Sequence, residues 1–385
     1  MAAKSPSCSA PIIPSEKEDT SMMTAIASSP TGLEQVVACE TRLSHVDGEK
    51  GLLWLRGMTL EQAVNSLDWQ GLIGLLWQDL LPVPTQAELG LARVQAFEQL
   101  DPFWPHLQNL KAFEALRAGL DLLPGDPQAS DLLSASQVLL AGWLRLQSGQ
   151  RPLSPAPENE AVTDFGRMLT GKMPDSSWVQ ALTCYWVSVS DHGLNASTFA
   201  ARVIASTRSD LRSAVLGALG ALKGPLHGGA PGPVLDMLDA IGSPERARPW
   251  LEAELAAGQR LMGFGHRIYR VRDPRADALR QALQAWQNSH ANHNNTRLAL
   301  AHSVERVALE ILATHKPERK LETNVEFYTA LLLESLGFER EVFTPLFALG
   351  RLVGWAAHVR EQAQFGRLIR PQSRYIGPPA ADAGQ

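Results

Sequence analysis

Apolar side chains recur with the 3.6-residue period of an α-helix along most of this chain. In the segment 298–314 they fall on one helical stripe, formed by Leu300, Val304, Val307, Ala308, Ile311 and Leu312. A second apolar helix is predicted to begin with Thr344 as its N-cap and Pro345 at its first position. The Leu-Gly pair at 336–337 predicts the end of the helix before it. The pattern is therefore that of a mostly α-helical protein.

The segment 41–57 differs, because two short apolar runs flank Asp47-Gly48, a dipeptide typical of hairpin turns. It predicts a small β hairpin near the start of the fold. Residues 1–31 are rich in serine and proline and lack the apolar stretch of a signal peptide, so they are predicted to form a disordered tail. Clusters of glycine and proline predict breaks in the helical pattern at 151–157, 224–233 and 241–249.

The chain has 385 residues, 45% hydrophobic and 19% charged, which fits a globular protein of about two to three domains. Its net charge of −5 disfavours a general nucleic-acid-binding protein, which needs a basic excess to neutralise phosphates. The cysteines are far apart, so they predict neither a disulfide framework nor a metal site. No uninterrupted apolar run reaches the roughly 18–20 residues that span a membrane. We therefore expect a cytoplasmic protein with no membrane segment.

Two histidines lie in segments that are compatible with either a catalytic role or a purely structural one. His192 and Asn195 belong to DHGLNAST, which by itself favours the capped start of a helix beside a hydrogen-bonded histidine. His227 belongs to KGPLHGGAPGP, where glycine and proline exclude a helix interior. Such a loop lets the backbone approach a ligand closely, although a plain connecting loop is equally compatible with the pattern.

A basic cluster follows the Gly-Phe-Gly sequence at 263–265. It consists of His266, Arg267, Arg270, Arg272 and Arg275. The glycine spacing is not that of a dinucleotide-binding fingerprint, and no strand precedes it. The density of positive charge on a glycine-led loop predicts an anion site, with a solvated run of charges as the alternative.

Two charged residues stand in apolar helices. Glu326 lies in a first turn, after a possible N-cap at Asn324, where an acid also complements the helix dipole. Arg351 interrupts an apolar helix, and a buried arginine needs an anionic partner from the protein or from a carboxylate ligand. Histidines can polarise carbonyls, a carboxylate can remove a proton from carbon, and arginines bind carboxylates. Together these groups predict a condensation reaction on a polycarboxylate substrate.

Seven segments of this chain, in order, resemble the citrate synthase family in its short bacterial and archaeal form. They are ETRLSHVDGEKGLLWLRG, DHGLNASTFAARVIAST, LKGPLHGGA, GFGHRIYRVRDPRA, NVEFYTALLLESLG, FALGRLVGWAAHVREQ and RPQSRYIGP, within residues 32–378. The resemblance implies an almost wholly helical, two-domain homodimer with a small N-terminal β hairpin. It implies a large domain of residues 32–228 and 342–385. A small domain of residues 229–341 would close over the substrates.

The resemblance also implies an acyltransferase that condenses acetyl-CoA with oxaloacetate and hydrolyses citryl-CoA to citrate and CoA. No metal and no permanently bound cofactor is implied. The implied catalytic residues are His227, His266 and Glu326. The residues implied to bind oxaloacetate are His192, Asn195, Arg275, Arg351 and Arg370, the last of which reaches the partner subunit's site. The residues implied to bind coenzyme A are Leu261, Met262, Gly263, Phe264, Gly265 and Arg270.

Two alternatives remain open. A 2-methylcitrate synthase uses propionyl-CoA and the same residues, and one methylene is worth only about 1–3 kcal/mol of discrimination. A non-catalytic binding or scaffold member of the family is the second alternative. It is favoured by Glu326, where the family usually has aspartate, and by HGGAPGP in place of the more usual HGGANEA. The extra methylene of Glu326 moves the carboxylate by about an ångström, a displacement that can lower the rate roughly a hundredfold.

Overall fold

A computed structural model describes residues 32–33, 36–228, 231–290, 296–315 and 320–377. The predicted tail at 1–31 lies outside these residues. Residues 36–40 form neither helix nor strand, and the compact unit that contains the helices begins at Thr41. Sixteen α-helices and one small sheet are present in the described residues, which confirms the predicted fold class.

The first ten helices are α1 (Leu60–Ser66), α2 (Trp69–Trp77), α3 (Gln86–Leu100), α4 (Trp104–Leu107), α5 (Ala112–Asp121), α6 (Ala129–Gln147), α7 (Ala161–Thr170), α8 (Ser176–Val189), α9 (Ala196–Ser206) and α10 (Leu211–Leu222). The other six are α11 (Pro231–Ile241), α12 (Ala247–Ala256), α13 (Pro274–Ser289), α14 (Thr296–His315), α15 (Val325–Ser335) and α16 (Phe343–Phe365). Short 3-10 turns precede α4, α12 and α16, at Asp101–Phe103, Pro244–Arg246 and Arg340–Val342.

The sheet contains three antiparallel strands in the order β1 (Ser44–Asp47), β2 (Leu52–Leu55) and β3 (Met58–Thr59). Asp47 pairs with Leu52, so the predicted hairpin is confirmed, with residues 48–51 as its turn. The sequence pattern does not predict the third strand, because two residues are too few to show alternation. The carbonyl of Gly48 accepts a hydrogen bond from the Arg270 N–H at 2.8 Å, which ties this turn to the loop that carries His266.

Helix α16 forms the centre of the core and packs against α2, α5, α6, α8, α9 and α10. It begins at Phe343 with Val342 as its N-cap, so the predicted cap at Thr344 is wrong by two residues. The 3-10 turn before it runs directly into the helix, and the Thr344 hydroxyl instead donates to the carbonyl of Gly228 at 2.8 Å. The hydroxyl therefore joins two distant segments and does not cap its own helix.

The same segment, Arg340–Phe365, is long and apolar enough to cross a membrane by length and composition alone. Of its most apolar stretch, 89% is buried inside the protein. A helix whose apolar side chains are already covered by protein is the usual core helix of a globular fold.

Other helix predictions are confirmed with two corrections. The predicted stripe of α14 is buried along its whole length, and α15 ends before Leu336 and Gly337 as expected. The break predicted at 224–233 ends early, because α11 begins at Pro231. The break at 241–249 likewise ends at Ala247, where α12 begins. Proline suits a first helical turn, since the N–H that it lacks would have no partner there.

Two glycines let α16 lie against the end of α8. A Cβ on Gly350 would stand 2.7 Å from Val189 Cγ2, and a Cβ on Gly354 would stand 2.2 Å from the carbonyl oxygen of Ser190. The second contact is with backbone, which cannot move aside without displacing the residues that follow α8. Gly354 therefore sets the distance between two elements that carry site residues.

We expect Gly354→Ala to lower the free energy of unfolding by about 1–3 kcal/mol, because an added methyl group overpacks this contact. Gly74→Ala is the matched control, since its Cβ would make only an ordinary 3.8 Å contact in the middle of α2. That variant should be neutral or slightly stabilising. Urea unfolding of both proteins provides the comparison, and equal stability of the two would contradict the steric argument.

The predicted division into a large domain of 32–228 and 342–385 and a small domain of 229–341 stays a prediction. Within the predicted small domain, α11 packs on α15 and α12 packs on α14, while α13 packs on both α15 and α8. Helix α13 therefore contacts α8, the helix that precedes His192 in the chain.

Candidate active site

The segment after α8 brings His192 against the loop that precedes α13. The ring of His192 lies 5.7 Å from the ring of His266 and 5.5 Å from that of Tyr269, measured between centroids. Its Nε2 is 3.1 Å from the Tyr269 hydroxyl. His192 is only 6% exposed. The two histidines that the sequence analysis placed in separate segments therefore share one small volume.

His266 is held in a defined orientation by the backbone of its own loop. Its Nδ1 accepts hydrogen bonds from the N–H groups of Ile268 at 3.0 Å and Tyr269 at 3.1 Å. An atom that accepts two N–H bonds carries no proton, so the neutral ring has its proton on Nε2. That Nε2 lies 3.5 Å from Nη2 of Arg275. The geometry leaves His266 with an N–H that can donate to a ligand oxygen beside Arg275.

The guanidinium of Arg275 has an acidic partner within the protein. Its Nε and Nη2 donate to Asp273 at 3.0 and 2.8 Å, and both residues are buried. Asp273 also caps α13 and accepts the N–H of Val325 at 3.3 Å. This one carboxylate therefore fixes the arginine and the start of the helix that carries Glu326.

Arg351 is buried, with 1% exposure, and has no such partner. Its Nε donates to the carbonyl of Val189, and its guanidinium lies 4.7 Å above the ring of Phe347. No acidic oxygen lies within 4.0 Å of it among the described residues. Burial lowers the pKa of Arg351 to about 10, which still leaves it charged at neutral pH. A buried cation without a paired anion is a site for an anionic ligand.

His227 lies beside this arginine on the turn after α10. Its ring centroid is 6.3 Å from that of Phe347, which also contacts Arg351. Its Nε2 is 2.8 Å from the hydroxyl of Ser197, and that hydroxyl also accepts from Trp355 Nε1 at 3.2 Å. The position of His227 is thus fixed by α9 and α16, although its own segment is irregular.

Asn195 acts as the N-cap of α9, as the sequence favours. Its Oδ1 accepts the N–H of Thr198 at 3.1 Å and the hydroxyl of Ser197 at 2.8 Å. It reaches His227 only through Ser197, so its predicted contact with oxaloacetate has no direct support from the geometry.

Glu326 lies in the first turn of α15, with Asn324 as its N-cap at 3.0 Å, as predicted. Burial raises the pKa of the Glu326 carboxyl to about 7, and the negative charge of Asp273 adds to the effect, while Arg275 and Arg351 oppose it. A carboxylate with this pKa is available as a base near neutral pH.

The glycine-led loop lies directly against this turn. The carbonyl of Gly263 accepts the Asn324 N–H at 2.9 Å, and the carbonyl of Gly265 accepts the Asn324 side chain at 2.7 Å. Both glycines have positive φ, and a Cβ on Gly263 would stand 2.8 Å from the ring of Phe327. Within this loop Leu261 is buried and Met262 is exposed. The implied coenzyme A loop and the implied base are therefore neighbours, and Phe264 pairs with Thr323 as an isolated bridge.

The three histidines are all held neutral at physiological pH. Burial, followed by the charge of Arg275, lowers the pKa of His266 to about 4. Burial and the charge of Arg351 lower the pKa of His227 to about 4. Burial and nearby arginines lower the pKa of His192 well below its usual value. A neutral imidazole still has one N–H, which can donate a hydrogen bond to a developing oxyanion without protonation of the ring to imidazolium.

Some predicted residues are not brought to this cluster. Arg370 is exposed in the extended segment 366–377, and Arg270 and Arg267 are exposed on the loop surface. Arg272 pairs with Asp277 at 2.7 Å and with Glu305 at 3.1 Å. Of the four loop arginines, Arg275 is the buried one and lies beside His266, and the anion site that the basic cluster predicts stays a prediction.

Four groups that shape the site are not among the predicted residues: Tyr185, Asp191, Tyr269 and Asp273. Asp273 could have been found, since an aspartate before Pro274 is a strong N-cap signal. Tyr185 gives no such signal. Its hydroxyl is buried without a hydrogen-bond partner in the described residues, and burial raises its pKa beside Glu326 and Arg351.

The family model described as "Citrate synthase, C-terminal domain" matches residues 32–372, which is most of the chain. The chain belongs to the citrate synthase family. The sequence is 36% identical to "Putative citrate synthase 2" of Mycobacterium tuberculosis over 365 residues, which cover 90% of this chain and 92% of that one. It is also 33% identical to "2-methylcitrate synthase" of the same species, covering 90% of each chain.

The fold agrees with this assignment. A solved ternary complex of the Thermoplasma acidophilum citrate synthase with carboxymethyl coenzyme A and oxaloacetate superposes with a TM-score of 0.81 and 26% identity, covering 92% of this chain and 97% of that one. In the described residues of the present chain, no group of three or more His, Cys, Asp or Glu side chains is placed to hold a metal ion.

Proposed function

We propose that this protein is a citrate synthase that condenses acetyl-CoA with oxaloacetate and hydrolyses the citryl-CoA product. The observation that carries the proposal is Arg351, a buried arginine that has no acidic partner in the described residues and lies beside neutral histidines. A dicarboxylate supplies the anion that this arginine lacks, and Arg275 binds the second carboxylate of the same molecule.

In this proposal Glu326 removes a proton from the methyl group of acetyl-CoA. The electron pair moves to the thioester oxygen, where a neutral N–H of His227 stabilises it. This role requires the single proton of the Ser197 hydroxyl to turn from Asn195 Oδ1 to His227 Nε2, which leaves the imidazole proton on Nδ1. The roles rest on the family resemblance together with the burial and the pKa direction of both groups.

The carbon of the enolate then attacks the carbonyl carbon of oxaloacetate, and the carbonyl oxygen takes a proton from Nε2 of His266. The proton held by Glu326 is released to solvent and His266 takes one back, which restores both groups. The bonding of His266 Nδ1 to two backbone N–H groups supports this tautomer. His192, whose ring lies 5.7 Å from that of His266, contacts the same substrate. Water then hydrolyses the thioester and releases citrate and CoA, so CoA is a product and not a bound cofactor.

The coenzyme A moiety is proposed to lie along the loop of residues 261–265, with Arg270 near its phosphates. The carbonyls of Gly263 and Gly265 bond to Asn324 at the start of the helix of Glu326, which supports a position of the acyl group beside the base. The functional unit is proposed to be a homodimer in which the Arg370 side chain of one subunit completes the oxaloacetate site of the other.

The release of free thiol tests the proposal directly. Acetyl-CoA and propionyl-CoA are each supplied with oxaloacetate, and kcat/KM is compared. We expect acetyl-CoA to be the better substrate. A higher kcat/KM for propionyl-CoA would identify a 2-methylcitrate synthase, a function that the 33% identical relative carries in its name. If neither ester releases thiol, the remaining alternative is a non-catalytic binding protein of the family.

The rate should depend on pH through Glu326. The base acts only when ionised, and burial raises its pKa to about 7, so kcat/KM should fall about tenfold per pH unit below that value and level off above it. The histidines with pKa values of about 4 stay neutral across pH 6–8 and contribute no second step there. An apparent pKa near 4.5, the ordinary value of a glutamate, would contradict the effect of burial on Glu326.

A further inference from the structure

Helix α16 carries a second buried polar residue on the face of Arg351. His358 follows Arg351 by seven residues, which is nearly two full helical turns, so both side chains lie on the side where Gly350 and Gly354 meet the end of α8. His358 is fully buried and is not among the residues that the family resemblance assigns to substrates.

A continuous chain of buried contacts runs through His358 toward the proposed oxaloacetate pocket. Its Nε2 is 3.1 Å from both carboxylate oxygens of Asp191. Its Nδ1 is 2.9 Å from Nη1 of Arg202, and that arginine also donates to Glu361 at 2.7 Å. Asp191 in turn accepts the backbone N–H of His192 at 2.8 Å. All five residues are less than 9% exposed.

The contacts determine where the proton of His358 lies. A guanidinium can only donate, so Nδ1 of His358 must be the acceptor of the bond from Arg202. The proton of the neutral ring is then on Nε2, which donates to the Asp191 carboxylate. His358 therefore transmits the orientation of Arg202 to Asp191 and needs no charge of its own.

This arrangement leaves the charge of Asp191 available to the pocket. Arg202 is balanced by Glu361, and the neutral His358 separates that pair from Asp191. Burial alone would raise the pKa of Asp191, but the hydrogen bond from His358 and the charge of Arg351 hold it below the usual value. Asp191 thus remains a carboxylate that stabilises the buried charge of Arg351 from beyond ion-pair distance.

We propose that His358 is a positioning residue of the oxaloacetate pocket, acting through Asp191 on the placement of His192 and Arg351. The proposal rests on the proposed function, because it assumes that oxaloacetate binds between those two residues. The hydrogen bond from His358 Nε2 to Asp191 is the contact that fixes the orientation of the Asp191 carboxylate. Loss of this bond lets the Asp191 carboxylate turn, which loosens the segment of His192 and the surroundings of Arg351 together.

Two amide substitutions test the two ring nitrogens of His358 separately. In His358→Gln the amide nitrogen reaches the place of Nε2 and can still donate to Asp191. In His358→Asn the shorter side chain reaches the place of Nδ1, so it keeps the bond with Arg202 and loses the donor to Asp191. Both substitutions bury an amide of similar polarity, which makes them matched tests of one hydrogen bond.

Calorimetric titration with oxaloacetate gives the dissociation constant of each variant, and thiol-release kinetics give KM for each substrate. We expect His358→Asn to bind oxaloacetate about tenfold or more weakly, since a buried hydrogen bond to a charged group is lost. The KM for acetyl-CoA should change little, and His358→Gln should stay within about threefold of the unaltered protein. Asp164→Asn, which weakens the buried pair of Arg93 and Asp164 between α3 and α7, controls for lost stability. It should leave oxaloacetate binding unchanged.

Equal oxaloacetate affinity in the asparagine and glutamine variants, whether both normal or both weak, would overturn the proposal. If His358→Asn does not fold, nitrogen-15 NMR of the unaltered protein decides, because a proton found on Nδ1 of His358 contradicts the arrangement and one on Nε2 supports it. An unaltered protein that binds oxaloacetate but releases no thiol would overturn the proposed reaction and leave the positioning role standing. No binding of oxaloacetate at all would overturn both.

Discussion

Replacing Glu326 by glutamine should lower kcat by about 10²–10⁴-fold, the range typical for loss of a general base, while oxaloacetate still binds. The amide has nearly the same shape as the carboxyl group but cannot accept the proton. Glu326 makes no ion pair in the described residues, so the substitution breaks no salt bridge. Turnover measured at saturating concentrations of both substrates, with the oxaloacetate dissociation constant measured separately, gives the result.

The same substitution should make the protein more stable at high pH. The pKa of Glu326 is raised from 4.5 to about 7 by burial, so the folded state holds this proton more tightly than the unfolded state does. The carboxyl group therefore destabilises the fold as pH rises from 4.5 toward 7, and the effect is complete above 7. Removal of the charge should raise the free energy of unfolding at pH 8 by roughly 1–3 kcal/mol and change it little at pH 4.

Glu334→Gln is the matched control for both measurements. Glu334 lies on the same helix but pairs with Arg297 at 3.0 Å, away from the histidines. Its loss should leave kcat unchanged and should not increase stability at pH 8. Retention of most turnover by Glu326→Gln would place the base elsewhere.

Mixed dimers should recover activity that two separate arginine variants lack. Arg351→Ala and Arg370→Ala are each expected to be nearly inactive as pure proteins, since a charged hydrogen bond contributes about 1.5–3 kcal/mol. When the two variants are refolded together, half of the dimers are mixed, and one of their two sites contains both arginines. The mixture should therefore regain about a quarter of the wild-type activity.

The result depends on a site shared between subunits, in which Arg370, exposed in its own chain, reaches the partner. Mass spectrometry of the intact dimers confirms that mixing has occurred. Mixed dimers with no regained activity would contradict the shared site. Arg275 and Arg351 of one chain would then bind both carboxylates of oxaloacetate.

Much of this protein is determined by local sequence. The helical period, the hairpin signal at Asp47-Gly48 and the stop at Leu336 and Gly337 each arise from interactions within a few residues, so they are visible without a fold. The position of Glu326 after the Asn324 cap is local for the same reason. The family resemblance adds the order of the histidine and arginine segments, which local pattern alone only suggests.

Only the tertiary structure decides which charged groups find partners. The sequence places Arg275 in a charged loop and Arg351 in an apolar helix, but it does not show which of them has an acidic partner. Arg275 is neutralised by Asp273, and Arg351 is left with no acid within 4.0 Å among the described residues. His358 meets Asp191 across a separation of 167 residues. Such contacts depend on how closely α16 packs against the end of α8. Gly350 and Gly354 permit this close approach, but their presence in the sequence does not specify which helix packs there. The charge state of every group in the site follows from that packing, because burial is the largest influence on their pKa values.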